Sequence, residues 1–137
     1  MQSFKDIARL EEACFSDAWN EKSLEDTFEY DYNHLLLEKH DGRVIAYVIY
    51  SDIQSDAELL RIAVDKKYRR QGIASRLISD MIRELEDAGT DRVTLEVRAH
   101  NVSAVRLYKS LGFEEIFVRR NYYKEPEDDA LIFQKNL

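Results

Sequence analysis

The sequence is poor in the residues and segments that mark several large classes of protein. Its 137 residues include one cysteine, one proline and four glycines. A single cysteine, Cys14, excludes a disulfide framework within the chain and is typical of a reducing compartment. No apolar run approaches the ~18 residues of a membrane span, and the amino terminus lacks a signal-peptide pattern, so we expect a cytoplasmic protein without a membrane partner.

Positive charge is also scarce, because 20 lysines and arginines face 27 aspartates and glutamates, for a net charge of −7. Phosphate backbones require clustered cations, so no direct nucleic-acid partner is expected. His34, His40 and His100 are scattered without the spacing of metal ligands, and we expect no metal site. The 45% hydrophobic and 34% charged residues are typical of a globular protein, and the length fits a single domain over residues 1–137.

Apolar periodicity predicts an α/β fold in which a mixed sheet is flanked by helices. An almost continuously apolar run at 44–50 predicts a central strand, and Asp41-Gly42 suits the turn of the β-hairpin that leads into it. A polar segment, 119–129, is expected to connect the last two strands. The predicted order is α, α, β, β, β, α, β, α, β, β, with helices over 4–14, 21–30, 71–88 and 101–111, and strands over 34–40, 43–51, 59–65, 93–97, 113–118 and 131–134.

The most informative stretch is 57–76, where a strand runs through a basic turn and Gly72 into a helix. Backbone N–H groups left unpaired at a helix start, together with the positive end of the helix dipole, form an anion site. Arg69, Arg70 and Arg76 would add mobile positive charge. We therefore interpret this stretch as a cradle for a phosphorylated ligand. The alternative is an ordinary solvated turn.

Better-known phosphate motifs are absent, since neither GxxxxGK(S/T) nor GxGxxG occurs. A nucleotide triphosphatase or a dinucleotide-binding domain is therefore not supported. The strand before the basic turn and the strand before Asn101 both lead into helices. We expect the two turns to open on the same side of the sheet, where α/β proteins bind ligands.

Several segments resemble one family. Residues 69–74, RRQGIA, fit the pattern Q/R-x-x-G-x-G/A and resemble the pyrophosphate loop of the GNAT superfamily of N-acetyltransferases. Residues 60–64, LRIAV, resemble the family's strand whose bent backbone pairs with the pantetheine arm of coenzyme A. LEVRAHN at 95–101 and AVRLYKSLGF at 104–113 resemble the next strand and helix. With RRNYY at 119–123, the chain is similar to the RimI branch, the ribosomal-protein-alanine N-acetyltransferases.

The resemblance implies the GNAT fold, in which a mixed, mostly antiparallel central sheet is flanked by helices. Family members begin with a strand, whereas only residues 1–3 precede the first helical pattern here, so we expect the first strand to be short or missing. An exposed sheet edge would then need cover. We expect a monomer or a weak dimer.

The resemblance also implies acetyl-CoA as a co-substrate. A backbone N–H of the 62–64 strand is expected to polarise the acetyl carbonyl, an oxyanion-type contact. For Asn101, helix capping alone is the alternative role. The residues expected to bind acetyl-CoA are Ile62, Ala63, Val64, Arg70, Gln71, Gly72, Ile73, Ala74, Ser75 and Asn101.

Acetyl transfer from a thioester requires a neutral amine and a protonated leaving thiolate. An α-amino group, with a pKa of about 7.7–8.0, is mostly charged at pH 7, so a base must remove its proton. The resemblance assigns this base to Glu96, and the alternative is a surface carboxylate in a salt bridge with Arg98. It assigns the general acid to Tyr108, and the alternative is a core aromatic whose hydroxyl bonds to the backbone.

The acceptor implied by the resemblance is a protein N-terminal α-amine, in particular the N-terminal alanine of a ribosomal protein. A lysine side chain or a small amine is the alternative acceptor. A non-catalytic acyl-CoA-binding module is a third possibility, against which Glu96 and Tyr108 both argue. The aromatic loop 15–19 either lines the acceptor groove or plugs the core. Residues 119–123 and the acidic segment 125–129 either shape that groove or form a solvated hairpin tip.

Overall fold

The computed structural model describes residues 4–137, in which the order of helices and strands is the predicted one. The question of a first strand falls on residues 1–3, which lie outside the described residues. A short 3-10 helix, Lys66–Tyr68, follows the third strand. The elements are α1 (Lys5–Cys14), α2 (Glu21–Thr27), β1 (Asn33–His40), β2 (Arg43–Ile53), β3 (Asp56–Val64), α3 (Ile73–Asp87), β4 (Arg92–Arg98), α4 (Val102–Ser110), β5 (Glu114–Lys124) and β6 (Glu127–Asn136).

The six strands form one sheet in the order β1-β2-β3-β4-β6-β5. Every neighbouring pair is antiparallel except β3 and β4, which run parallel. A parallel pair needs a long crossover, and α3 supplies it between these two strands. The expectation of a mixed, mostly antiparallel sheet flanked by helices is confirmed.

Strand β2 is the central strand that the sequence predicts, with an unbroken buried run from Val44 to Ser51. Its side chains alternate between two cores. Tyr47 and Ile49 pack against α1 and α2 on one face of the sheet, whereas Val48 packs against α3 on the other. Burial on both faces explains why this strand is continuously apolar rather than alternating.

The hairpin between β1 and β2 turns at Asp41 and Gly42, as predicted. Both residues have positive φ, 51° and 79°. Turns with positive φ at both central residues match the right-handed twist of the flanking strands, and Asp-Gly is a favoured pair for them. Local turn chemistry was therefore sufficient to identify this connection.

The prediction of a loop at 119–129 is wrong. Strands β5 and β6 continue through it and leave only Glu125 and Pro126 between them. Strand β5 lies at the edge of the sheet and is exposed along most of its length. A polar composition is therefore compatible with a strand here, because an edge strand has little apolar surface to bury.

Two helices differ from their predicted bounds by more than one residue at one end. Helix α2 ends at Thr27 rather than at residue 30, and α3 begins at Ile73 rather than at residue 71, because Gly72 is its N-cap. Within residues 4–137, no helix combines the length and apolarity that a membrane crossing requires.

Candidate active site

A cleft opens where the two parallel strands part. Strands β3 and β4 pair only over Asp56–Glu58 and Arg92–Thr94. Beyond those residues, β3 pairs only with β2, and β4 only with β6, among the described residues. The register of β2 with β3 also shifts at Leu60, which leaves that residue without a partner in β2. One edge of the β3 backbone therefore faces the cleft without a strand partner at Ile62, Ala63 and Val64.

The start of α3 lies at the end of β3 and its short 3-10 turn. Arg70 and Gly72 have positive φ, 64° and 77°, and no side chain of the described residues caps the helix. The first backbone hydrogen bond of the helix runs from the N–H of Arg76 to the carbonyl of Gly72, at 3.0 Å. The N–H groups of residues 73–75 are therefore unpaired within the helix and point out of its start, where the helix dipole is positive. This geometry favours an anion.

The expectation of three mobile arginines at this turn is wrong for two of them. Arg69 donates through Nε to the carbonyl of Val64 at 3.1 Å. Arg76 forms an ion pair with Glu38 at 2.7 Å. Acceptors on neighbouring strands therefore hold both side chains. Arg70 alone of the three has no hydrogen bond or ion pair with a residue in the 4–137 range.

Glu96 lies on the polar face of β4 and is exposed. It accepts a hydrogen bond from the hydroxyl of Tyr123 on β5, at 2.7 Å. Arg98 is not its partner: its guanidinium lies 3.9 Å from the centre of the Tyr123 ring and donates to the carbonyl of Pro126. Burial, and then the bond to Glu96, raise the pKa of Tyr123, so this hydroxyl remains a donor.

Glu58 on β3 is a second carboxylate beside Glu96. The parallel register places Glu58 opposite Thr94, so Glu96 is its diagonal neighbour on the same face of the sheet. Burial, and then repulsion by Glu96, raise the pKa of Glu58. We call the face that bears these two residues the carboxylate face. They line an open groove there, together with Phe117, Arg119 and Ile132.

Tyr108 lies on α4, on the opposite face, in the same buried cluster as Ile73. Its ring packs near Phe113 and Phe133 and is 5% exposed. Its hydroxyl has no hydrogen-bond partner among the described residues. Every fully buried side-chain oxygen or nitrogen of those residues does have a partner, so the Tyr108 hydroxyl is not fully buried. The hydroxyl therefore reaches the surface of the core. Burial raises the pKa of Tyr108 to about 12, so it carries its proton at neutral pH.

Asn101 is the N-cap of α4, and its side-chain oxygen accepts from the N–H of Ala104 at 3.3 Å. The turn before it is fixed by Asp128 of β6, which accepts from the N–H of His100 at 3.0 Å and lies 3.0 Å from its Nδ1. Burial opposes ionisation of Asp128, but bonds from the N–H groups of His100 and Asp129 lower its pKa below the usual value. Sequence reasoning missed this contact because it placed Asp128 in a loop.

The aromatic loop 15–19 lies against β3. The guanidinium of Arg61 stacks on Phe15 at 4.0 Å and on Trp19 at 4.9 Å from the ring centres. Both aromatic side chains are half-buried, whereas Asp17 between them is exposed. The loop therefore covers the β3 part of the sheet without sealing the groove beside Glu96.

The cleft thus brings together an anion site and a protonated phenol on the α3 side, and two carboxylates on the carboxylate face. Sequence reasoning identified Gly72, Glu96 and Tyr108, named Tyr123 and Asp128 only as members of the segments 119–123 and 125–129, and did not identify Glu58. A glutamate between two apolar residues, Ala57 and Leu59, was the signal for Glu58. The contacts of Tyr123 and Asp128 have no local signal, because they depend on strand pairing.

Comparison with known proteins agrees with this geometry. A model of the acetyltransferase (GNAT) family matches residues 4–113. The [ribosomal protein bS18]-alanine N-acetyltransferase of Escherichia coli strain K12 is 38% identical over 90% of this chain and 84% of its own, and that of Haemophilus ducreyi is 32% identical over 92% and 86%. The crystal structure of the Escherichia coli ribosomal-protein-S18-alanine N-acetyltransferase superposes with a TM-score of 0.90, at 33% identity, over 97% of this chain and 86% of that one. The family model, the similar sequences and the similar structure show that the chain belongs to the acetyltransferase (GNAT) family.

Proposed function

We propose that this chain transfers the acetyl group of acetyl-CoA to the N-terminal α-amine of a protein, and that the acceptor is the N-terminal alanine of a ribosomal protein. The observation that carries the reaction is the cleft between β3 and β4, with Glu96 on one side and Tyr108 on the other. The relatives' names support the acceptor. Such an acceptor is made in the cytoplasm, where we propose that the chain acts.

The described residues fit acetyl-CoA, which supplies the acetyl group as a thioester. The open edge of β3 offers Ile62, Ala63 and Val64 to an extended amide-containing arm. The unpaired N–H groups at the start of α3 suit a diphosphate, and Arg70 adds an uncommitted charge. The residues that would hold acetyl-CoA are Ile62, Ala63, Val64, Arg70, Gln71, Gly72, Ile73, Ala74, Ser75 and Asn101.

Glu96 acts as the general base in this proposal. It accepts a proton from the acceptor ammonium, directly or through water, and leaves a neutral amine lone pair for the attack. Its carboxylate is oriented by the hydroxyl of Tyr123 at 2.7 Å. An orienting hydrogen bond keeps the accepting oxygen in place through the reaction.

Tyr108 acts as the general acid. Its hydroxyl has no partner among residues 4–137 and is protonated at neutral pH, so it can donate its proton at the sulfur of the leaving group. A backbone N–H within 62–64 polarises the carbonyl oxygen of the acetyl group. No covalent enzyme intermediate is needed, because the amine attacks directly.

Thiol release from acetyl-CoA, followed with three peptides that differ only at the N-terminal amine and at one internal lysine, tests the proposal. The first has a free N-terminal alanine, the second has that amine acetylated, and the third is acetylated but carries an internal lysine. We expect thiol release with the first peptide only. Comparable release with the third peptide would replace the α-amine by a lysine acceptor. If calorimetry shows binding of acetyl-CoA but none of the peptides causes thiol release, a non-catalytic module would be favoured instead.

A further inference from the structure

A buried ionic network joins α1, β2 and β3 beside the cleft. The side chain of Glu11 is fully buried, and one of its oxygens accepts from Arg61 at 2.6 Å and from the N–H of Trp19 at 3.0 Å. The other accepts from the hydroxyl of Tyr47. A buried carboxylate is costly unless its oxygens are satisfied. Here both are, and three separate segments of the chain converge on them.

Arg61 connects this network to the loop 15–19, which we call the aromatic loop. Its side chain is 12% exposed, and its guanidinium lies against Phe15 and Trp19. It also lies 3.5 Å from the carboxylate of Asp17, which is 78% exposed. One side chain therefore contacts the start, the middle and the end of the loop. A planar guanidinium can stack and form bidentate bonds at once, which lysine cannot do.

The register shift at Leu60 is what directs Arg61 to this side. In a regular strand Arg61 would share a face with Leu59, which packs against α3. The unpaired Leu60 resets the alternation, so Arg61 contacts α1 while Ile62 packs with the α3 core. Arg61 thus projects on the carboxylate face, three residues along β3 from Glu58.

We propose that Arg61 is a positioning residue that fixes the aromatic loop as one wall of the acceptor groove, and so determines the affinity for the acceptor peptide. This inference rests on the proposed function. The loop borders the carboxylate face from the β3 side, and Tyr123 borders it from the β5 side. Among the described residues, no hydrogen bond or ion pair joins loop 15–19 to residues 70–75 at the start of α3, so we expect the binding of acetyl-CoA to depend little on the loop.

The test uses Arg61→Lys, which keeps the charge for Glu11 but loses the planar stack. Trp19 is the single tryptophan, so its fluorescence reports on the loop directly. We expect a red-shifted emission and a peptide KM raised about tenfold, because small displacements of a positioning element have large effects. The KM for acetyl-CoA and kcat should stay within about twofold of the wild type, since the hydrogen bonds and ion pairs of Arg61 go to Glu11 and Asp17 and not to residues 70–75.

Two further variants separate positioning from folding. Arg83→Lys changes an exposed arginine of α3 that pairs with Asp80, and should alter none of these quantities. The double variant Glu11→Gln with Arg61→Met removes both buried charges together, so it can fold where Arg61→Met alone leaves Glu11 unpaired. It should keep its circular dichroism and show the same rise in peptide KM.

The outcomes are distinct. An active wild type whose peptide KM is unchanged by Arg61→Lys, despite the shifted emission of Trp19, would overturn the inference alone. A parallel rise in both KM values would show a merely structural role for Arg61 and would also overturn it. A wild type that binds acetyl-CoA but releases no thiol with any peptide would overturn the proposed function, and the inference with it.

Discussion

The two sides of the cleft are built differently. The α3 side depends on consecutive residues: a strand, a turn with Arg70 and Gly72 at positive φ, and the start of a helix. The carboxylate face depends on residues distant in sequence, such as Glu96 with Tyr123 and Glu11 with Arg61. Backbone N–H groups form the first site in any sequence that turns this way, whereas the second requires particular side chains on separate strands.

The difference has a functional counterpart. A shared co-substrate needs a site that is the same in every family member, and backbone geometry provides one. An acceptor differs between enzymes, and side chains on β3, β5 and the aromatic loop can vary without disturbing the start of α3. We therefore expect substitutions on the α3 side to change the handling of acetyl-CoA, and those on the carboxylate face to change the handling of the amine.

The largest expected effect is that of Glu96→Gln. Removing the base should lower kcat/KM about 10²–10³-fold at pH 7, within the usual range for general-base catalysis. The loss should shrink as pH rises past about 8, because the amine then deprotonates without help. The pH profile of thiol release measures this. A ratio of wild-type to variant rates that is constant from pH 6.5 to 9 would remove Glu96 from the role of base.

Tyr108→Phe should lower kcat about 10²-fold, because the ring still packs but the proton donor is gone. Calorimetry should show nearly unchanged binding of acetyl-CoA. With a pKa of about 12, Tyr108 stays protonated as pH rises, so its ionisation should cause no loss of wild-type activity between pH 8 and 10. Wild-type turnover in the variant would show that the hydroxyl is dispensable and Tyr108 only a core aromatic.

Gly72→Ala and Gly42→Ala form a matched pair. Both glycines have positive φ, 77° and 79°, and an added Cβ would contact none of residues 4–137 at either position. Each substitution should therefore cost about 1 kcal/mol of stability through backbone strain alone. Only Gly72→Ala should also weaken acetyl-CoA binding, because it disturbs the N–H groups at the start of α3. Equal losses of affinity in the two variants would contradict the assignment of the anion site.

Tyr123→Phe tests whether the bond to Glu96 orients the base. The variant keeps the ring under Arg98 but loses the donor at 2.7 Å. We expect kcat to fall about threefold to tenfold. A hydrogen bond from a neutral hydroxyl to a charged carboxylate contributes about 1.5–3 kcal/mol at most, and water can replace part of that bond in the variant. In the Glu96→Gln background the same substitution should have no further effect on kcat. Independent, multiplicative losses would mean that Tyr123 acts elsewhere.

Sequence reasoning succeeded where structure is local. The Asp41-Gly42 turn, the start of α3 at Gly72 and the continuously apolar β2 each follow from neighbouring residues. It predicted β5 and β6 as strands but missed how far both extend toward Glu125 and Pro126, because the polar residues of β5 on the exposed edge of the sheet have the composition of a loop.

The sequence contains a signal for the Glu11–Arg61 network that the prediction did not use. Glu11 lies four residues after Ile7, on the buried stripe of α1, and Arg61 interrupts the apolar residues of β3. Two opposite charges at positions that the pattern assigns to the core imply a partner for each. Which charges meet could not be predicted, because the shift at Leu60 decides the face to which Arg61 points.

The smallest expected effect concerns Glu58. Burial and the repulsion from Glu96 raise its folded-state pKa above the usual 4.5, so its protonated form is favoured by folding. The contribution of protonated Glu58 to the free energy of unfolding is complete below pH 4.5 and is lost as pH rises through the folded-state pKa. Glu58→Gln should therefore match the wild-type Tm at pH 4 and exceed it at pH 7, by roughly 1–2 °C because solvent screens much of the repulsion. Thermal unfolding at both values decides: a variant that is less stable at pH 7 would mean that Glu58 is held by an attractive contact on this face.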